Sequence, residues 1–242
     1  MPQSREEYEE HLYKINKAGL RYVVLWQDID NTITHNMLDY YARLDAFGFI
    51  IANDKNAKII KEYNPSLLVI CSLVQRLCAN VSKKDFCYYD YLLLYYPFNR
   101  SLDALKQLQH LKDKIIIMPN TLCNIDCPSI HHWFPPKDKP FVQNRDCMAL
   151  IDKHNYVKRC GLISPEHLCL FDNYVGGYKL QGREYSTDML MYICQIYFDR
   201  EAPTELYDML GKDLSFKLQA ELNSMSLNEY YNIKTDEIIN II

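Results

Sequence analysis

Four cysteines and two histidines carry most of the chemistry that this sequence could support. Cys123, Cys127, His131 and His132 fall within Asn120 to His132, directly after the apolar run Ile115 to Met118, and Cys147 and Cys160 follow. Thiolates are soft ligands, and four of them satisfy a tetrahedral zinc ion or a cubane cluster, which accepts irregular spacings. The separation of Cys123 and Cys127 is a weak signal alone. With Cys147 and Cys160 it becomes a four-thiolate set for an iron–sulfur cluster or for zinc, set against the plainer reading of buried core thiols. His131 and His132 are ligand or acid–base candidates, although one of two adjacent histidines usually faces the core.

A second group lies late in the chain. Lys179, Arg183 and Glu184 follow a short strand, where a pair of cations could hold an anionic substrate group. The alternative is an ion pair that closes the rim. Asp28, Asn53, Asn99 and Asn120 each stand just past an apolar strand and are candidates for substrate binding. The sequence contains no glycine-rich dinucleotide or phosphate loop, no Gly-x-Ser-x-Gly and no His-Glu-x-x-His. Nucleotide-fuelled chemistry and the familiar hydrolase and zinc-protease patterns are therefore unsupported.

The elements that must position these residues alternate in type. Ser4 and Glu7 form a capping box, followed at helical spacing by Tyr8, Leu12 and Ile15. Strands are predicted at Tyr22 to Trp26, Phe49 to Ala52, Leu67 to Ile70, Tyr91 to Tyr95, Ile115 to Met118 and Tyr178 to Leu180, with a seventh near Val157 to Leu162. Helices are predicted at Met37 to Phe47, Ala57 to Tyr63, Leu102 to Leu111 behind Ser101, and from Ser186 to about Tyr197. Short apolar strands alternating with helices indicate a parallel α/β sheet, and polar strand ends suit a site on one rim of a barrel. A closed barrel needs eight strands, so the expectation is a TIM-like (β/α) barrel over residues 1–200 that is incomplete or lacks its first βα unit. Residues 201–242, with a capping box at Ser226 to Glu229, read as a C-terminal helical extension packed on the barrel or contacting a partner.

Composition narrows the class. The 242 residues are 48% hydrophobic, enough for one substantial core with a small appendage. A net charge of −4 without a basic tail does not favour nucleic acid as a partner, although it leaves a local basic groove open. Tyr88, Tyr89, Tyr91, Tyr95 and Tyr96 crowd one region, as a partly buried strand with aromatic flanks or as a stacking platform. No segment approaches the roughly 18 apolar residues that span a bilayer, and the N-terminus lacks the form of a signal peptide. Nine cysteines in such a chain suit the reducing cytoplasm, with Cys71, Cys78, Cys169 and Cys194 as core filler.

Several of these motifs together resemble the collagenase-like U-thirty-two peptidase family. Tyr178 to Arg183 is similar to its Lys-x-Glu-Gly-Arg motif, placed after a Pro-Glu-x-Leu segment (Pro165 to Leu168) and before a helix. Asn120 to His132 resembles the Asn-x-x-Cys-x-x-x-Cys-Pro-x-x-x-x-His signature of one branch, and Ser4 to Trp26 resembles a helix and strand from that branch's first third. The likeness spans most of residues 4–200. Three departures stand out. A βα unit that members carry upstream of the segment matched by Ser4 is missing; Gln181 replaces the family's Glu; and Cys147 and Cys160 match less closely than Cys123 and Cys127.

The resemblance implies a TIM-like barrel. It implies oxygen-independent, iron–sulfur-dependent hydroxylation or related tailoring of a nucleic acid, a peptide or a small aromatic. A [4Fe–4S] cluster would be held by Cys123, Cys127, Cys147 and Cys160, with zinc as the alternative metal. Arg183 and Lys179 would bind an anionic substrate or oxygen donor, and His131 or His132 would transfer protons. A peptidase activity is the runner-up. The shortened N-terminal side also implies a homo- or hetero-oligomer, in the extreme a non-catalytic subunit that completes a heteromeric barrel.

Overall fold

A computed structural model describes residues 4–26, 31–73, 86–121, 123, 160–182, 186–201 and 231. By packing, the chain divides into two units, Met1–Arg76 with Lys83–Leu93, and Leu77–Ser82 with Leu94–Ile242.

The first unit is built by helix caps and β-rich apolar runs. Helix α1 (Arg5–Lys17) starts at Ser4, whose hydroxyl accepts from Glu7 N. Strand β1 (Val23–Trp26) follows. Helix α2 (His35–Arg43) is capped by Thr34, and α3 (Asp54–Tyr63) by Asn53, whose side chain accepts from Asn56 N at 2.8 Å. Each cap satisfies an N–H that the first turn leaves without an intrahelical partner. Strands β2 (Gly48–Ile51), β3 (Leu68–Cys71) and β4 (Tyr91–Leu93) complete the series.

The order is β1-β2-β3-β4, each pair parallel, with Val24 beside Phe49, Phe49 beside Val69 and Ile70 beside Tyr91. All four residues of β2 are buried, as expected for an inner strand covered on both faces. Polar side chains pin the connections. Buried Asn56 accepts from Ile33 N at 2.9 Å and donates to Asn31 O at 3.0 Å. Asp90 accepts from Lys61 Nζ at 2.7 Å and from Val69 N at 2.8 Å, which fixes the entry to β4.

The second unit begins with Leu94, which donates to Ile116 O at 2.9 Å. A 3-10 turn at Tyr96–Phe98 leads to α4 (Leu102–Gln107), capped by Ser101, and then to a 3-10 helix at Gln109–Lys114. The single helix predicted over Leu102 to Leu111 thus changes type at buried Leu108, which takes both i−4 and i−3 hydrogen bonds. Strand β5 (Ile115–Ile117) pairs in parallel with β6 (Gly177–Tyr178), Ile116 beside Gly177 and Ile117 beside Tyr178. Helix α5 (Thr187–Asp199) is capped by Ser186. Ile117, Ile163, Phe171, Ile196 and Tyr197 lie in this unit's core, where the Tyr197 hydroxyl donates to Ile163 O at 2.8 Å.

The chain is therefore α/β, and every registered strand pair is parallel. Six strands are described, and no pairing among the described residues closes a barrel. At the expected seventh strand, Cys160 is an isolated bridge residue and Gly161 to Ile163 run without strand geometry. The expected extension at 201–242 lies outside the described residues apart from Glu201 and Tyr231. No helix among the described residues is long and apolar enough to cross a membrane.

Candidate thiolate site at the end of β5

Strand β5 runs out at Ile117, and buried Met118 and Pro119 carry the chain to Asn120. A second segment lies antiparallel beside this exit. Ile163 N donates to Pro119 O at 2.7 Å and Gly161 N donates to Cys123 O at 3.0 Å. Half-buried Cys123 and fully buried Cys160 are thereby held on neighbouring backbones at the same strand end. A Cβ on Gly161 would overlap Thr121 Cγ2, so this approach of the two segments requires glycine. Thr121 is 1% exposed, and its Oγ1 has no hydrogen-bond partner.

The adjoining segment after β6 is tied to the same exit. Lys179 N donates to Ile117 O at 2.9 Å. Asn120 Nδ2 donates to Gln181 O at 2.7 Å, Asn120 Oδ1 accepts from Gln181 N at 3.0 Å, and Gln181 Nε2 donates to Asn120 O at 3.4 Å. Buried Gly182 follows with a φ of 146°, a conformation that side chains disfavour. The cysteine segment and the Lys179 to Gly182 segment are thus one hydrogen-bonded unit, although far apart in sequence.

Electrostatic anchoring of β6 comes from its last residue. The Tyr178 hydroxyl lies 2.9 Å from Asp172 Oδ1 and 3.0 Å from Leu168 O, so one proton is shared between two acceptors. Arg200, the left-handed C-cap of α5 at a φ of 60°, grips the same carboxylate with two bonds of 2.6 and 2.9 Å. Burial, followed by the bond to Asp172, pushes the Tyr178 hydroxyl well above its ordinary pKa. The Arg200 guanidinium holds the Asp172 carboxyl below its ordinary value.

The predicted site residues fall into distinct positions. Cys123, Cys160, Asn120 and half-buried Lys179 come together in the second unit, around the exit of β5. Asn99 is in this unit as well but is 0% exposed; its amide is spent on Met118, donating to O at 3.0 Å and accepting from N at 3.3 Å. Asn53 belongs to the first unit and caps α3. Asp28, Cys127, His131, His132, Cys147, Arg183 and Glu184 lie outside the described residues. Sequence reasoning passed over Thr121, Gly161 and buried Arg100, and treated Gln181 only as a missing carboxylate. The one available clue was Gly161 itself, placed directly after a cysteine.

Of the four predicted thiolates, the described residues offer two, Cys123 and Cys160, as part of a donor set. Cys123 and Cys160 sit on paired segments, and the zero exposure of Cys160 suits a group shielded from solvent. Among the described residues no group of three or more His, Cys, Asp or Glu gathers, and two of the four predicted thiolates are among them. The chain matches no protein-family model, no curated protein and no solved structure.

Proposed function

We propose that this chain is an iron–sulfur-dependent modifying enzyme of the U-thirty-two peptidase type, working on a nucleic acid, a peptide or a small aromatic in the cytoplasm. The observation that carries this reading is the pairing of the Cys123 segment with the Cys160 segment at the end of β5. Thiols that merely fill a core need no such backbone pairing and no glycine at the point of closest approach. A parallel α/β sheet holds its chemistry at the carboxyl ends of its strands, where this pair lies, and a TIM-like barrel is the architecture that best unites the observed βα units.

In this reading Cys123, Cys127, Cys147 and Cys160 hold a [4Fe–4S] cluster, with zinc as the alternative. A bound cluster would supply electron transfer or a Lewis-acidic iron at the strand end. Lys179 and Arg183 bind an anionic part of the substrate or an oxygen donor, and His131 or His132 moves a proton. Gln181 does no acid–base work, since its main chain and side chain are given to Asn120.

The test is the iron, acid-labile sulfide and zinc content of anaerobically purified chain. Cys123→Ala and Cys160→Ala are compared with Cys194→Ala, which alters a thiol on α5 that, like Cys169 and contrary to the expected core placement, is exposed. About four irons and four sulfides, lost in the first two variants and kept in the third, supports the cluster. One zinc instead moves the reading to a structural or hydrolytic centre. Absence of metal from all four proteins sinks it and leaves a partner subunit as the leading role, while metal-independent cleavage of a peptide would restore the peptidase.

A further inference from the structure

We infer that Asn120 is a positioning residue that locks the Lys179 to Gly182 segment onto the Cys123 segment, with Gln181 as its matched partner. The need for it follows from the ladder. The β5–β6 pairing continues as far as the bond from Lys179 N to Ile117 O. A parallel ladder would next use the N–H and C=O of residue 119. That residue is proline, which has no N–H to give, and its carbonyl already accepts from Ile163 N. The N–H of Gln181 would then lose its ladder acceptor at a half-buried position, a cost that proteins avoid.

The carboxamide of Asn120 supplies the acceptor that Pro119 no longer offers, and adds a donor for the Gln181 carbonyl. Its Oδ1 takes the Gln181 N–H and its Nδ2 takes the Gln181 carbonyl. One side chain thus stands in for a rung of sheet, and it does so three residues before Cys123. Gln181 Nε2 returns a longer bond to Asn120 O, which a glutamate in its place could not donate. The consequence for chemistry rests on the cluster reading. Lys179 and the turn at Gly182 are set relative to Cys123 by one carboxamide, so the substrate-binding and thiolate segments share a common anchor.

Amide hydrogen exchange in the full chain tests the clamp independently of metal. In the wild-type chain the Gln181 amide is protected. Asn120→Ala accelerates its exchange roughly tenfold while Lys179, whose bond to Ile117 does not pass through Asn120, keeps its protection. Gln181→Ala, which retains both main-chain bonds, stays close to wild type. An unprotected Gln181 amide in the wild-type chain overturns the inference, and this requires no variant to fold. Loss of protection at Lys179 equal to that at Gln181 also overturns it, since the effect would then be general unfolding. The functional half is read from iron-reconstituted chain, where Asn120→Ala shifts the electron paramagnetic resonance spectrum of the reduced cluster and Gln181→Ala does not. An unchanged spectrum in Asn120→Ala overturns that half. Wild-type chain that takes up no iron defeats the cluster reading, while the exchange pattern still decides the clamp.

Discussion

Asn99 brackets Met118 from the side, its carboxamide donating to the Met118 carbonyl at 3.0 Å and accepting from the Met118 N–H at 3.3 Å. Asn120 repeats this arrangement one strand further on, with Gln181 as the bracketed residue. In both cases an asparagine in the connection that follows a strand satisfies the main chain of the neighbouring segment. The end of the sheet is thus extended laterally by side chains in a region where backbone pairing has stopped.

Truncation of the first of these brackets is costly. Asn99 is 0% exposed, so Asn99→Ala strands a buried N–H and a buried carbonyl at Met118. The expected loss is about 2 kcal/mol, measured by chemical denaturation. A loss under a few tenths of a kcal/mol would show that Met118 finds other partners.

The glycine between the two cysteine segments gives a paired test. Gly161→Ala drives a methyl into Thr121 Cγ2 and is expected to destabilise the chain by about 1–3 kcal/mol. Thr121→Ala removes the opposing methyl together with a buried hydroxyl that has no partner. The double variant should therefore recover much of the loss, and a double-mutant cycle in denaturant measures the coupling. Strictly additive effects would place the strain elsewhere.

A carboxylate at position 181 should not improve this protein. Gln181→Glu replaces a donor facing Asn120 O with an acceptor, so the bond at 3.4 Å turns repulsive while the main-chain bonds persist. About 1 kcal/mol of stability is expected to go at neutral pH, and part of it to return as the new carboxyl protonates. A gain in stability at neutral pH would refute this account of Gln181.

The anchor of β6 carries a pH dependence. The Asp172 carboxyl has its pKa lowered by the bond from Arg200, so its contribution is complete above the ordinary aspartate value near 3.9 and fades as pH falls towards the depressed folded value. Arg200→Ala should flatten the acid limb of the stability profile, by less than about 1 kcal/mol because the pair is partly solvated. The alkaline limb has the opposite sign. Tyr178 is raised, so stability is whole below the ordinary tyrosine value near 10 and is lost as pH climbs beyond it. In Tyr178→Phe the ultraviolet phenolate titration should lose one component that titrates above the ordinary tyrosine range; loss of a component from the ordinary range instead would contradict the shift.

Which parts were readable from sequence follows from the range of the interactions. Ser4, Ser101 and Ser186 announce their helices because a cap acts within one turn. The same logic at Thr34 and Asn53 went unused, since polar His35 and Asp54 follow them, and α2 and α3 begin earlier than their apolar periodicity indicates. Asn53 and Asn99 looked like ligands for a substrate because both stand past a strand. Their actual partners, Asn56 N and Met118, are invisible without the fold in the second case and only a turn away in the first. Pairing of Cys123 with the Cys160 segment depends on a long-range backbone contact, and no local pattern encodes it beyond a glycine.

The antiparallel contact between Pro119 to Cys123 and Cys160 to Ile163 has an evolutionary implication. Two anchored ends fix where the first and last cysteines lie, whatever the length of chain that joins them. For a flexible connection in general, closure entropy grows only logarithmically with length, about 0.6 kcal/mol for each doubling. A change of length between Cys123 and Cys160 therefore leaves the placement of those two thiols to the paired segments, and any freedom of composition in between stops at the residues the proposed chemistry needs, Cys127, His131, His132 and Cys147.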